Sequence, residues 1–334
     1  MKRYRPKLFD EASEACTSKD LFIIILCFIA VFIVTALLES IFPVIFSWKL
    51  MQEELAKLEL GGSLSEVFEQ SMDAATTVTA KPKIMIPTLF CTVFGIICSL
   101  IYCRCIEMRH VRSMGVVKKK AVPNYITGLV IGTVMMSAIT FLNVASGTSS
   151  FSRCTEINYG LILLYFLGFF VQGMSEEFIF RGYFLTSLGG GGHHTALAVG
   201  ISSIAFGLAH GGNRGFGIFP FFNLVLFGVF AGLYLILTES IWGISAIHSI
   251  WNFTQGNIYG ISVSGTGSSP SVFRTAAVSK KAFLTGGEFG IEGSVFTTIV
   301  LTAGIIILFA AIHKKSLRTA QPAETEVPAQ PPGQ

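Results

Sequence analysis

Eight apolar runs divide this chain, at 21–46, 84–103, 124–145, 158–188, 195–211, 218–238, 241–258 and 295–312. A run of about 20 apolar residues matches the hydrocarbon thickness of a bilayer as a helix. In lipid the backbone must satisfy its own hydrogen bonds, so helices or closed barrels are the only spanning forms. Composition points the same way: 51% of the 334 residues are hydrophobic and 13% are charged, against about 25% charged in soluble domains. The expected fold class is an all-α polytopic membrane protein, a bundle of about eight transmembrane helices. The first run is too long for a signal-peptide core and reads as a retained anchor.

Charge placement gives an orientation. Lys2, Arg3, Arg5 and Lys7 precede the first run; Arg104, Arg109, Arg112, Lys118, Lys119 and Lys120 follow the second; Lys314, Lys315 and Arg318 follow the last. An even number of crossings puts all three groups on one side, and the positive-inside rule makes that side, with both termini, cytoplasmic in an integral cell-membrane protein. The implied organisation is a cytoplasmic segment 1–20, three N-terminal helices over 21–153 with an extracytoplasmic 48–83 segment, a membrane core over 154–313, and a disordered cytoplasmic tail over 314–334. The 48–83 segment is expected to form an amphipathic helix, and Gly189–Gly192 a flexible loop. The net charge of +4 comes with no basic stripe, which argues against a nucleic-acid partner; membrane lipid and a peptide or membrane-protein substrate are the expected partners. Seven cysteines show neither zinc spacing nor a disulfide framework.

Ionisable side chains inside spans are costly and mark function. Glu176, Glu177 and Arg181 lie in the fourth run, His210 ends the fifth, and His248 lies in the seventh with Asn252 one turn on. Glu177 and Arg181 are spaced for an ion pair on one helix face, and Phe206/His210 and His248/Asn252 repeat the four-residue spacing. At 1.5 Å per residue, Glu176, His210, His248 and Asn252 lie roughly 10–22 Å from the cytoplasmic ends of their runs, so one shared site is geometrically open to them. Each also has a structural reading: boundary charges for the glutamates, a snorkelling Arg181, a helix C-cap for His210, interhelical hydrogen bonds for His248 and Asn252. One shared site replaces a separate coincidence on each helix.

These motifs, Glu176-Glu177-x-x-x-Arg181, Phe206-x-x-x-His210 and His248-x-x-x-Asn252, together with the stretches EEFIFRGYF, FGLAH, HSIWNFTQGN and TGGEFGIEGS, resemble the CPBP family, which comprises the type II CAAX prenyl endopeptidases and the bacteriocin-processing or Abi membrane proteases. The resemblance covers about residues 155–260. It implies an intramembrane endopeptidase with its cavity in a helix bundle. In that scheme Glu176 and His210 activate water, His248 and Asn252 stabilise the oxyanion, and Glu177, Arg181 and Phe206 support the site. Amide hydrolysis needs a base, an acid for the leaving amine, and oxyanion donors, and these residue types supply all three.

No cofactor is expected. A metal held by Glu176, His210 and His248 is the less favoured arrangement, since no HExxH occurs. The only aspartates, Asp10, Asp20 and Asp73, lie outside the runs, which removes an intramembrane aspartyl dyad, and no Gly-x-Ser-Gly motif offers a nucleophilic serine. Two other classes remain: a non-catalytic scaffold or bacteriocin-immunity-type binding protein, and a transporter with a Glu/His proton relay.

Overall fold

Asp20 accepts hydrogen bonds from the backbone N–H groups of Phe22 (2.8 Å) and Ile23 (3.3 Å), so the first long helix starts where the polar segment ends. The computed structural model describes residues 5–15, 18–58, 63–267 and 269–320. Within them α1 (Lys7–Ser13) precedes α2 (Leu21–Leu55). The 48–83 segment is divided: α2 runs on to Leu55, and α3 (Leu64–Thr79) follows. A reciprocal cap fixes the start of α3, with Ser63 Oγ accepting from Glu66 N–H and the Glu66 carboxylate accepting from Ser63 N–H. Then come α4 (Pro82–Cys91) and α5 (Val93–Ile101), broken at Thr92, and α6 (Ala121–Ala145). The remaining long elements are α7 (Tyr159–Glu177), α8 (Thr186–Gly190), α9 (Thr195–Ala209), α10 (Ile218–Thr238), α11 (Ile241–Phe253), the short α12 (Ala282–Thr285) and α13 (Val295–Ala320).

The chain is an all-α polytopic membrane protein, with six helices among the described residues long and apolar enough to cross a bilayer. Two of the expected eight runs fall outside these six. α9 has 15 residues and at 1.5 Å per residue spans about 22 Å, less than the ~30 Å hydrocarbon core. α11 continues without a break into a π turn over Thr254–Ile258, and that continuous helix carries His248, Asn252, Gln255 and Asn257, too many polar residues for a lipid-facing span. It is wedged between α6, α7 and α10, nearly all its residues are buried, and a helix shielded from lipid can carry polar side chains.

At one end of the bundle the basic segments come together. Arg112 pairs with Glu11 of α1 (2.9 Å), Lys315 with Glu239 (3.6 Å), and Arg5 donates to the Gly189 carbonyl (3.0 Å). The fully buried Arg109 lies 2.7 Å from Glu107 and donates to Thr186 (2.8 Å) and Ser187 (3.1 Å), tying the loop after α5 to α8. The glycine stretch differs from expectation. Residues 186–190 are helical and buried, and the missing side chains admit α1: a Cβ on Gly189 would lie 2.3 Å from the Phe9 ring, and one on Gly190 2.7 Å from Ala12 Cβ. The tail beyond 320, Lys2 and Arg3 lie outside the described residues.

The opposite end carries a two-stranded antiparallel ribbon, β1 (Ser149–Arg153) with β2 (Phe273–Ala277), in which Phe151 faces Thr275. There Arg214 pairs with Asp73 of α3 and with Glu288 (2.9 Å). The hydrogen bonds from Arg214, aided by its charge, hold Glu288 below its usual carboxylate range against the opposing effect of burial. Such a group stabilises the fold fully above its unfolded pKa, about 4.3, and loses that contribution as pH falls through the lower folded value. Lowering the pH from 6 to 3 is therefore expected to reduce the melting temperature, and Arg214→Ala to shrink that acid response. An unchanged acid response in the variant would show that the pair contributes nothing.

Candidate active site

The last turn of α7 places Glu176 and Glu177 about 100° apart on one helix. Immediately after them the helix widens into a π turn over Phe178–Leu185, a feature that often marks functional sites. That turn carries Arg181, whose side chain is 1% exposed and donates from Nη1 to Glu177 Oε1 at 3.1 Å. Arg181 therefore does not snorkel. Its guanidinium also lies over the Phe206 ring, 4.4 Å from the centroid, a cation–π contact that partly offsets the cost of burial.

His248 of α11 meets the same carboxylate, with Nδ1 2.8 Å from Glu177 Oε1. A carboxylate only accepts, so Nδ1 carries the proton, and Nε2 points on towards Glu176, 3.7 Å from its Oε2. That separation is too long for a direct hydrogen bond. Glu177 thus binds Arg181 and His248 with one oxygen and orients the imidazole ring. The Phe206 and Phe227 rings pack against that ring at centroid distances of 5.9 and 5.0 Å.

His210 stands at the C-cap of α9, and its structural reading as a cap holds alongside its place in the site. Its Nδ1 lies 2.9 Å from the Phe206 carbonyl, which can only accept. The proton is therefore on Nδ1, and Nε2 keeps a free lone pair. Asn252, one turn after His248, donates through Nδ2 to Gln172 Oε1 at 2.8 Å, and the Gln172 amide in turn donates to Glu176 Oε1. A chain Asn252–Gln172–Glu176 thus joins α11 to α7.

Glu176, His210, His248 and Asn252 all line one cavity of about 210 Å³, with Gln172, Phe206 and Phe227 among its walls. Glu177 and Arg181 sit behind it. Among the described residues no group of three or more His, Cys, Asp or Glu side chains is placed to hold a metal ion. Part of the cavity's wall comes from the segments on either side of β2, with Val263, Ser264 and Thr266 before it and Glu292 after it. Glu292, 8% exposed, accepts from Ser264 N–H (2.7 Å), Ser264 Oγ (2.9 Å) and Gln255 (3.1 Å), while Asn223 of α10 donates to the Glu292 carbonyl. These bonds tie the 259–267 and 287–294 stretches together beside the site.

Residues 158–254, from the start of α7 to the end of α11, match the family model of the type II CAAX prenyl endopeptidase Rce1-like proteins. Residues 158–254 are Rce1-like. The matched span holds Glu176, Glu177, Arg181, Phe206, His210, His248 and Asn252, all singled out in the sequence and all at or directly behind the cavity. Neither curated proteins nor solved structures return a match.

Three polar residues around Glu176 and its cavities escaped the sequence reading. Gln172 had a usable signal: it precedes Glu176 by four residues, one turn along the same face. Glu292 lies 116 residues beyond Glu176, and nothing in spacing joins them. Glu39, in the middle of the first apolar run, was overlooked among the ionisable groups inside spans. It shares a second cavity with Glu176 and His210.

Proposed function

We propose that this protein is an intramembrane endopeptidase that hydrolyses a peptide bond in a membrane-associated protein or peptide, with Glu176 as the base. The observation that carries the reading is the convergence of Glu176, His210, His248 and Asn252, from three helices, on one cavity inside the membrane region. Glu176 takes a proton from water as the water oxygen bonds to the carbonyl carbon. His210, with Nδ1 committed to the Phe206 carbonyl, offers its Nε2 lone pair to the same water. Asn252 gives one amide N–H to Gln172 and keeps a second for the oxyanion. His248, with Nδ1 held by Glu177 and Nε2 facing Glu176, adds an Nε2–H when its ring carries two protons. As the C–N bond breaks, the leaving amine takes the proton held by Glu176.

The test uses purified protein and an internally quenched membrane peptide. Asn252→Ala is expected to lower kcat by about 10²–10³-fold, the usual cost of one oxyanion donor. Chelation is expected to leave wild-type kcat unchanged. Activity lost to the chelator and restored by stoichiometric zinc would make Glu176, His210 and His248 ligands and overturn the mechanism. A wild-type protein that binds the peptide without cleaving it would favour a scaffold.

The orientation belongs to the same proposal. The end that gathers Arg5, Arg109, Arg112 and Lys315 is cytoplasmic, because basic loops are retained on that side. A cysteine introduced at position 66 is expected to react with an impermeant reagent outside intact cells, and one at position 118 only after lysis. The reverse pattern would invert the topology.

A further inference from the structure

Glu176 stands in the wall between two cavities. One is the reaction cavity; the other, of about 190 Å³, lies between α2, Thr92, the end of α7 with its π turn, and the end of α9. Apolar side chains, Phe32, Ala36, Ile179 and Phe180, form part of its wall, as expected inside a membrane bundle. Its polar lining is not expected there. Thr35 Oγ1, Ser175 Oγ and Glu176 Oε2 are all buried and without a protein hydrogen-bond partner, and Thr35 and Ser175 are only 2% and 1% exposed. Glu39, a carboxyl halfway along the most apolar helix of the protein, faces the same space.

A buried hydroxyl or carboxylate left unpaired loses its hydration without replacement, so native interiors rarely hold several together. Water relieves the cost where a cavity is roomy and offers each molecule two to four polar partners. At about 30 Å³ per molecule, this space has room for roughly six waters. We propose that this cavity is an internal water chamber that supplies the hydrolytic water to Glu176, with Glu39 and Thr35 of α2 holding that water. The need is chemical. Each turnover consumes one water: its proton passes to Glu176, its oxygen bonds to the carbonyl carbon, and the amine leaves with the proton. A substrate seated in the reaction cavity closes the direct way in, and a chamber behind the base remains filled. Glu176, His210 and Asn213 border both spaces, so water crosses at the base itself.

The kinetic part of this inference rests on Glu176 being the base; the hydration part does not, and the experiment separates them. Radiolytic hydroxyl-radical footprinting of the full-length protein in detergent marks side chains next to internal water. Phe180 is the reporter, since it lines the chamber and is 2% exposed to the outside. It is expected to be oxidised in the wild type and equally in Glu176→Gln. In a Thr35→Val/Glu39→Leu double variant the oxidation is expected to fall several-fold, and kcat by about tenfold with KM unchanged, roughly 1.4 kcal/mol of lost transition-state stabilisation. Glu39→Gln, which keeps polar atoms facing the water, is expected to retain both the mark and the rate. An unmarked Phe180 in the wild type overturns the chamber, and that result stands even if the double variant fails to fold. A mark undiminished in a folded double variant also overturns it, as does a full kcat in a double variant that has lost the mark. If Glu176→Gln proves active, the reading of the base fails while the footprint still decides the chamber.

Discussion

Glu176→Gln is expected to insert, fold and bind peptide while cleavage falls by about 10²–10⁴-fold, the range of a general base's contribution. The substitution keeps the side chain's size. It also keeps an oxygen that can accept from Gln172, so the Asn252–Gln172 link between α11 and α7 survives. What it removes is proton acceptance at the one carboxylate that faces both His248 and the cavity. The measurement is kcat on a quenched membrane peptide, with peptide binding and thermal unfolding of the same preparation as controls. Comparing membrane peptides from cells carrying wild type or Glu176→Gln would also reveal the natural substrate. Wild-type cleavage by the variant in detergent would sink the assignment and leave His210 to act as base alone.

The second large effect is on folding. Arg181→Met is expected to destabilise the protein by about 3–5 kcal/mol, because it leaves Glu177 as a buried charge without its guanidinium partner. Glu177 is 0% exposed and its Oε2 has no hydrogen-bond partner, so without Arg181 only the His248 imidazole faces the carboxylate. Replacing both members of a buried pair by residues of similar volume is often neutral. Arg181→Met combined with Glu177→Gln is therefore expected to restore the folded amount. It should not restore the rate, since His248 then loses the carboxylate that orients its ring. Folded yield and kcat, measured on single and double variants, test both halves. A fully active double variant would show that Glu177 serves the fold alone, and a stable Arg181→Met would show that the pair is dispensable to the fold.

Much of this site was legible from residue spacing. Helical periodicity is local, so residues four apart share a face whatever the rest of the chain does, and the Glu177–Arg181 pair appears where that rule puts it. The same rule would have reached Gln172. Charge in an apolar run is also a local signal, and it marked the carboxylates, the arginine and the histidines because burial of such groups needs a reason. It applied equally to Glu39. The glycine stretch misled for a related reason. Glycine next to glycine suggests freedom of the backbone, but the absence of side chains at 189 and 190 instead makes room for Phe9 and Ala12 from the far N-terminus.

The sequence by itself determined the helical membrane architecture, the chemistry-bearing residues and their pairing within each helix, because lipid forces backbone hydrogen bonds inward and helical geometry repeats every few residues. Only the tertiary structure decided which atoms meet. It gave Glu177, rather than Glu176, the direct bond to His248, brought Gln172 between Asn252 and Glu176, put Glu292 in the cavity wall, and set Glu39 in a second cavity beside Glu176. It also let α11 carry His248, Asn252, Gln255 and Asn257, since a helix enclosed by α6, α7 and α10 is shielded from lipid and its polar groups meet protein instead.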